Sequence, residues 1–105
     1  MTIDSELLKI LLHAPTAGAL ARARSNAVNL RKHSPAPEVR IVINAEAVAA
    51  ALDHPDPAVD AQTLVCPNTL NKIGRTASAP LTVLEEGSML ALARMQGEGW
   101  RYIRA

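Results

Sequence analysis

Aromatic residues are nearly missing from this chain, which has no phenylalanine, one tryptophan (Trp100) and one tyrosine (Tyr102) among 105 residues. Its core must therefore be built from alanine, leucine, valine and isoleucine, residues small enough to let helices lie close on a sheet. Cysteine is as scarce. Cys66 stands alone, which excludes an internal disulfide. Neither sign of charge dominates, since 11 basic and 10 acidic residues leave a formal net charge of +1. The basic residues are scattered, with Arg22, Arg24, Arg31 and Lys32 early and Arg94, Arg101 and Arg104 late. A nucleic-acid-binding surface would show a basic stripe with interleaved aromatics, and this chain shows neither. No apolar run approaches the roughly 18 residues needed to span a bilayer. No positive segment leads into a long apolar run near the start, so no signal peptide is expected. These absences predict a cytoplasmic protein without membrane or nucleic-acid partners.

Hydrophobic residues make up 49% and charged residues 20%, the balance of a globular chain, and the length suits one domain, residues 1–105. The apolar run from Leu7 to His13, closed by Ala14-Pro15, reads as a buried strand. Thr16-Ala17-Gly18 leads into a helix over Ala19 to Lys32, with Leu20, Ala23, Ala27 and Leu30 on one face. Ser34-Pro35-Ala36-Pro37 breaks the chain. The β-branched stretch Val39-Arg40-Ile41-Val42-Ile43 is the clearest strand. Asn44 ends it and Ala45 to Leu52 follows as a short helix. A loop at Asp53-His54-Pro55-Asp56-Pro57 precedes a third strand, Gln62 to Val65. Asn68 to Ile73 reads as a helix stopped by Gly74, and Leu81 to Leu84 as a fourth strand. Ser88 to Gln96 is apolar almost all round, the pattern of a helix buried on several sides, some of that cover coming from another subunit. Trp100 to Arg104 closes the chain as a strand with both aromatics on one face.

Strands and helices alternate with short connections. This predicts a three-layer α/β domain: a mainly parallel five-stranded sheet with helices on both faces. In such sheets reactive groups gather at the carboxyl ends of strands, against helix N-termini. Cys66 falls at that place. The following proline favours extended geometry for Cys66 and suits the first position of a helix, so Leu64-Val65-Cys66-Pro67 reads as a strand-to-helix junction. Helix-end amides beside a thiol favour its thiolate. The alternative role for Cys66 is that of a small buried hydrophobe. Asn68, Thr69, Asn71 and Lys72 in the next turn are candidate tuners of the thiol. His13 and Asn44 end the first and second strands on the same edge, His13 as a possible proton acceptor. Asn26, at the margin of the first helix's apolar face, is a further candidate ligand donor. Asp53, His54, Asp56 and Asp60 match no zinc or calcium spacing and read as a solvated acidic loop, so no metal and no cofactor are expected. Thr16-Ala17-Gly18 lacks the repeated glycines and lysine of a phosphate loop.

Three stretches resemble the DsrE/DsrF-like family of small sulfur-relay proteins, which includes the YchN-like domains: Ala23-Arg24-Ser25-Asn26-Ala27-Val28-Asn29-Leu30, Val39-Arg40-Ile41-Val42-Ile43-Asn44 and Leu64-Val65-Cys66-Pro67-Asn68-Thr69-Leu70. The ending Gly97-Glu98-Gly99-Trp100-Arg101-Tyr102-Ile103 is similar to the family's closing strand. The resemblance implies a five-stranded α/β domain that forms homo-oligomers, often trimers or hexamers, with a persulfide-carrying cysteine at the position of Cys66. Without a second cysteine, any sulfur received must pass to a partner protein. The Asp53 to Ala61 loop is shorter than the resemblance leads one to expect. The function expected is thus a sulfurtransferase-like carrier with Cys66 as its reactive group. Set against it is a non-catalytic homo-oligomeric binding module with a small-ligand pocket at its subunit interface.

Overall fold

The computed structural model describes residues 8–105, so the Leu7 end of the first expected strand lies outside them. In chain order the elements are β1 (Lys9–Ala14), α1 (Ala17–Leu30), β2 (Glu38–Ile43), α2 (Glu46–Asp53), β3 (Thr63–Val65), α3 (Pro67–Ile73), β4 (Thr82–Val83), α4 (Ser88–Gly97) and β5 (Arg101–Arg104). One 3-10 turn, Asp60–Gln62, precedes β3 and takes up the residue at which that strand was expected to start. The strands form one sheet in the order β4-β3-β2-β1-β5, with every neighbouring pair parallel. The expected α/β architecture is therefore the one the chain adopts, and β2 lies at its centre.

The local signals explain most of the boundaries. Thr16 has extended backbone and its Oγ1 accepts the Ala19 amide at 3.0 Å, so the Thr16-Ala17-Gly18 turn is an N-cap. Gly74 ends α3 in the left-handed conformation, φ 67°, as its place after the last helical residue predicts. Pro67 occupies the first turn of α3, with Cys66 as the N-cap residue in extended geometry.

Side-chain alternation divides the sheet into two unlike faces. Ile10, Leu12 and Ala14 of β1, Ile41 and Ile43 of β2 and Val65 of β3 pack with Leu20, Ala23 and Ala27 of α1 and Ala47, Val48 and Ala51 of α2. Small helix side chains against β-branched strand residues give this larger core, as the lack of phenylalanine required. The opposite face carries Leu11 and Val42, which pack with Leu92 of α4 and with the half-buried Leu64, Leu84, Met95 and Trp100. Lys9 Nζ and the Arg40 guanidinium lie 5.1 and 5.6 Å from the centre of the Trp100 ring, so their cationic heads border that cluster.

Three expectations need correction. The helix over Ser88 to Gln96 is not buried on several sides: Ser88, Ala91 and Leu92 face the sheet, while Met89 and Leu90 remain 61% and 49% exposed. Its contact stripe runs i, i+3, i+4, which the sequence conceals because residues off the stripe are also apolar. The fourth strand shrinks to two residues, both exposed, at a sheet edge. Asp60 is not a solvated loop residue. It is 3% exposed, its Oδ1 lies 3.5 Å from Arg24 Nη2, and its Oδ2 accepts the Asp56 amide at 2.9 Å. A buried carboxylate of this kind must be paired, and Arg24 of α1 pairs it while donating to the His54 carbonyl at 2.8 Å.

Candidate functional site

The backbone ladders continue one residue past the strands. The Asn44 amide donates to the Ala14 carbonyl at 3.4 Å and the Cys66 amide to the Ile43 carbonyl at 3.0 Å. Asn44 and Cys66 thus sit one step beyond β2 and β3, at the carboxyl edge. By alternation from Val42 and Leu64 they project to the α4 face, together with His13 and Tyr102. Register and parity, not proximity in the chain, collect these four side chains.

Cys66 is 4% exposed and free of any disulfide. Its Sγ accepts the backbone N–H of Ser88 at 3.4 Å. Ser88 is the first residue of the ten-residue α4, so the thiol meets a helix N-terminus end-on. Burial pushes the thiol up. The Ser88 hydroxyl, then the Thr69 amide, the Ser88 amide and the Thr69 hydroxyl, together outweigh burial and bring it down from 9.0 to about 7. Cys66 is the N-cap residue of α3, and its side chain forms no cap hydrogen bond there. Cys66 opens on a cavity of about 670 Å³ whose wall includes Ala45, Ala49, Thr69, Lys72 and Ile73.

Behind the thiol runs a string of polar contacts. Asn44 Nδ2 donates to Ser88 Oγ at 3.2 Å, Asn44 Oδ1 lies 3.0 Å from His13 Nε2, and His13 Nδ1 lies 2.6 Å from the Tyr102 hydroxyl. The imidazole and phenol rings are tilted at 50° with centroids 5.7 Å apart. At the mouth, Ala45 has φ 49° and ψ −136°, a conformation that costs a residue with a Cβ about 1–3 kcal/mol. Its amide donates to Thr69 Oγ1 at 3.1 Å, which ties the start of α2 to α3 beside the sulfur.

The residues expected to share a site thus meet only in part. Cys66, Thr69, Asn44 and Lys72 line one cavity. His13 belongs to the site through Asn44, since both ring nitrogens are engaged away from the sulfur. Asn68 stands exposed against Gly87, where an added Cβ would lie 2.6 Å from Asn68 Nδ2; the glycine leaves room for that amide just before α4. Asn71 is exposed and does not line the cavity. Asn26 is not brought to the thiol: it is exposed on α1 and borders a separate hollow of about 240 Å³ with Ile10, Leu12 and Ile103. Two participants escaped the sequence reading, Ser88 and Tyr102. Ser88 carried a usable signal, because the helix after a fourth parallel strand must also start at the carboxyl edge. Among the described residues no group of three or more histidine, cysteine or acidic side chains is placed to hold a metal ion. No helix among them is long and apolar enough to cross a membrane.

Fold and site together define a class: a small parallel α/β protein whose one thiol faces a helix N-terminus at the carboxyl edge of the sheet. Set against known proteins, the chain matches no protein-family model and no curated sequence.

Proposed function

We propose that this protein is a DsrE-like cytoplasmic sulfur carrier in which Cys66 accepts, holds and releases sulfane sulfur. The supporting observation is a thiol brought down to about 7 by the Ser88 hydroxyl and by the Thr69 and Ser88 amides, on the wall of an open cavity. A thiolate is the nucleophile that attacks sulfur. The Cys66 thiolate attacks the terminal sulfur of a donor persulfide. A new sulfur–sulfur bond forms at Cys66, the donor's own sulfur–sulfur bond breaks, and the donor leaves as a thiolate that takes a proton from water. The terminal sulfur keeps its own proton, and no net oxidation occurs. In the second half an acceptor thiolate attacks that terminal sulfur and releases Cys66 as thiolate. The Ser88 and Thr69 donors hold the anion at both stages. No cofactor enters this exchange, and a lone cysteine suits a reducing compartment.

The test is direct. After incubation with a low-molecular-weight persulfide, intact-mass measurement should show one added sulfur on the wild type and none on Cys66→Ser, and a free thiol should remove it. A wild type that gains no sulfur under these conditions would sink the carrier reading.

A second reading, a homo-oligomeric binding module in which Cys66 only lines a pocket, draws on the exposed Met89 and Leu90 of α4. An apolar helix surface of this kind suits a subunit contact, in a trimer or hexamer, and oligomerisation is equally part of the carrier reading. Sedimentation at micromolar concentration should find an assembly that Leu90→Glu dissociates. A wild type that sediments as a monomer would overturn the assembly in both readings.

A further inference from the structure

We propose that Tyr102, His13 and Asn44 are positioning residues: bonded in series, they aim the Ser88 hydroxyl proton at the Cys66 sulfur. This rests on the reading of Cys66 as a working thiolate. The direction of the string follows from the donor and acceptor inventory of its members. Asn44 Nδ2 donates to Ser88 Oγ at 3.2 Å, so Asn44 Oδ1 is turned to His13 Nε2 at 3.0 Å. An amide oxygen only accepts, so Nε2 is the nitrogen that carries the ring proton. In a neutral imidazole Nδ1 is then an acceptor, and the Tyr102 O–H donates to it at 2.6 Å. Each assignment forces the next. Once Ser88 Oγ has accepted from Asn44, its own proton is left for the sulfur, which the Ser88 backbone N–H already holds at 3.4 Å and whose ionised form the Ser88 hydroxyl favours.

The opposite polarity has the opposite effect. With the Asn44 amide reversed, the Ser88 hydroxyl would donate to Asn44, and only its lone pairs would face Cys66. That arrangement suits a thiol and opposes a thiolate. The string therefore does more than satisfy buried polar groups, although it does that too, with His13 and Ser88 only 7% and 4% exposed. It is not a proton wire, because a carboxamide in its middle does not pass protons on. It acts by orientation. Its outer end is Tyr102, 41% exposed, where water can satisfy the phenol's remaining acceptor capacity.

The experiment is a titration of the Cys66 thiol, by thiolate ultraviolet absorbance and by alkylation rate against pH, in single and paired variants. The other titratable groups near the thiol are Glu46 of α2 and Lys72 of α3 on the cavity wall. They are common to every variant, as His13 is, and Tyr102 is replaced only by phenylalanine. Ser88→Ala should raise the midpoint by about one pH unit, through loss of a hydroxyl donor to the anion. Asn44→Ala should raise it by about half as much, and Tyr102→Phe by less, in the same direction. In the Ser88→Ala background neither should raise it further, since both act through that hydroxyl. Tyr102→Phe, at the surface, keeps the test open if Asn44→Ala fails to fold. Unmoved midpoints in both single variants, or shifts that persist undiminished without the Ser88 hydroxyl, would overturn the proposal. A wild-type midpoint at the ordinary value of 9.0 would instead overturn the carrier reading on which it rests.

Discussion

Alkylation of Cys66 is expected to follow an ionisation centred near pH 7, so that about half of the protein carries a thiolate at neutral pH. A thiol with the ordinary value of 9.0 would be about 1% ionised there, roughly fifty times less. The rate advantage is smaller, because nucleophilicity falls with thiol basicity. With a Brønsted slope of about 0.45, two units of pKa return roughly eightfold, leaving a net gain of about sixfold over a free thiol at pH 7. The same ionisation appears in stability. The folded thiol ionises below the unfolded one, so between pH 7 and 9 the unfolded state binds more protons and stability rises with pH. The contribution is fully present above the unfolded value and is lost as pH falls through the folded one. It amounts to about 2 kcal/mol by pH 9, and Cys66→Ser should lack it. Denaturant midpoints of the two proteins measured across this range should therefore diverge as pH rises. Parallel profiles would show that the fold does not favour the thiolate.

Asp60→Ala should cost about 3 kcal/mol, because it removes one partner of a buried ion pair and leaves the other charge behind. The Arg24 and Asp60 side chains are 14% and 4% exposed. The loss is compounded at the backbone, where the Asp56 amide surrenders its acceptor, Asp60 Oδ2. Arg24 is poorly placed to recover, since its Nε is already buried with no partner among the described residues and its Nη1 is committed to the His54 carbonyl. Asp60→Asn should cost less, since an amide oxygen can still accept from Asp56. Equilibrium denaturation checks both. A loss below about 1 kcal/mol for Asp60→Ala would mean that the pair is effectively solvated.

These two sites show where the sequence was readable and where it was not. The junction at Cys66-Pro67 was legible because proline's constraints are local and act on its immediate neighbours. The strand at Val39 to Ile43 was legible because a buried parallel strand is nearly all β-branched. Asp60 was misread because its partner lies 36 residues away on α1, and a carboxylate among prolines looks the same whether it faces water or an arginine. Helix α4 was misread for a related reason: when nearly every position is apolar, periodicity cannot say which stripe meets the sheet. His13 and Asn44 lie on the edge of Cys66, where they were expected, and Asn44 lines its cavity, but His13 does not reach the sulfur. His13 stands behind Asn44, and its nitrogens serve Asn44 and Tyr102.

By itself the sequence determined the α/β class, the order of elements, the lack of any internal disulfide partner and the lone thiol's place at a strand's end. All of these follow from composition, periodicity or the stereochemistry of neighbouring residues. The tertiary structure alone decided what surrounds that thiol. The Ser88 amide that meets the sulfur is 22 residues away, and the tyrosine that holds His13 is 89 residues from it. Those distances are closed by strand order and register: β2 and β3 end level with one another, β5 pairs with β1, and alternation turns their side chains toward α4. A cysteine's position can be read from its neighbours, but its ionisation is set by donors that only the folded sheet brings within reach.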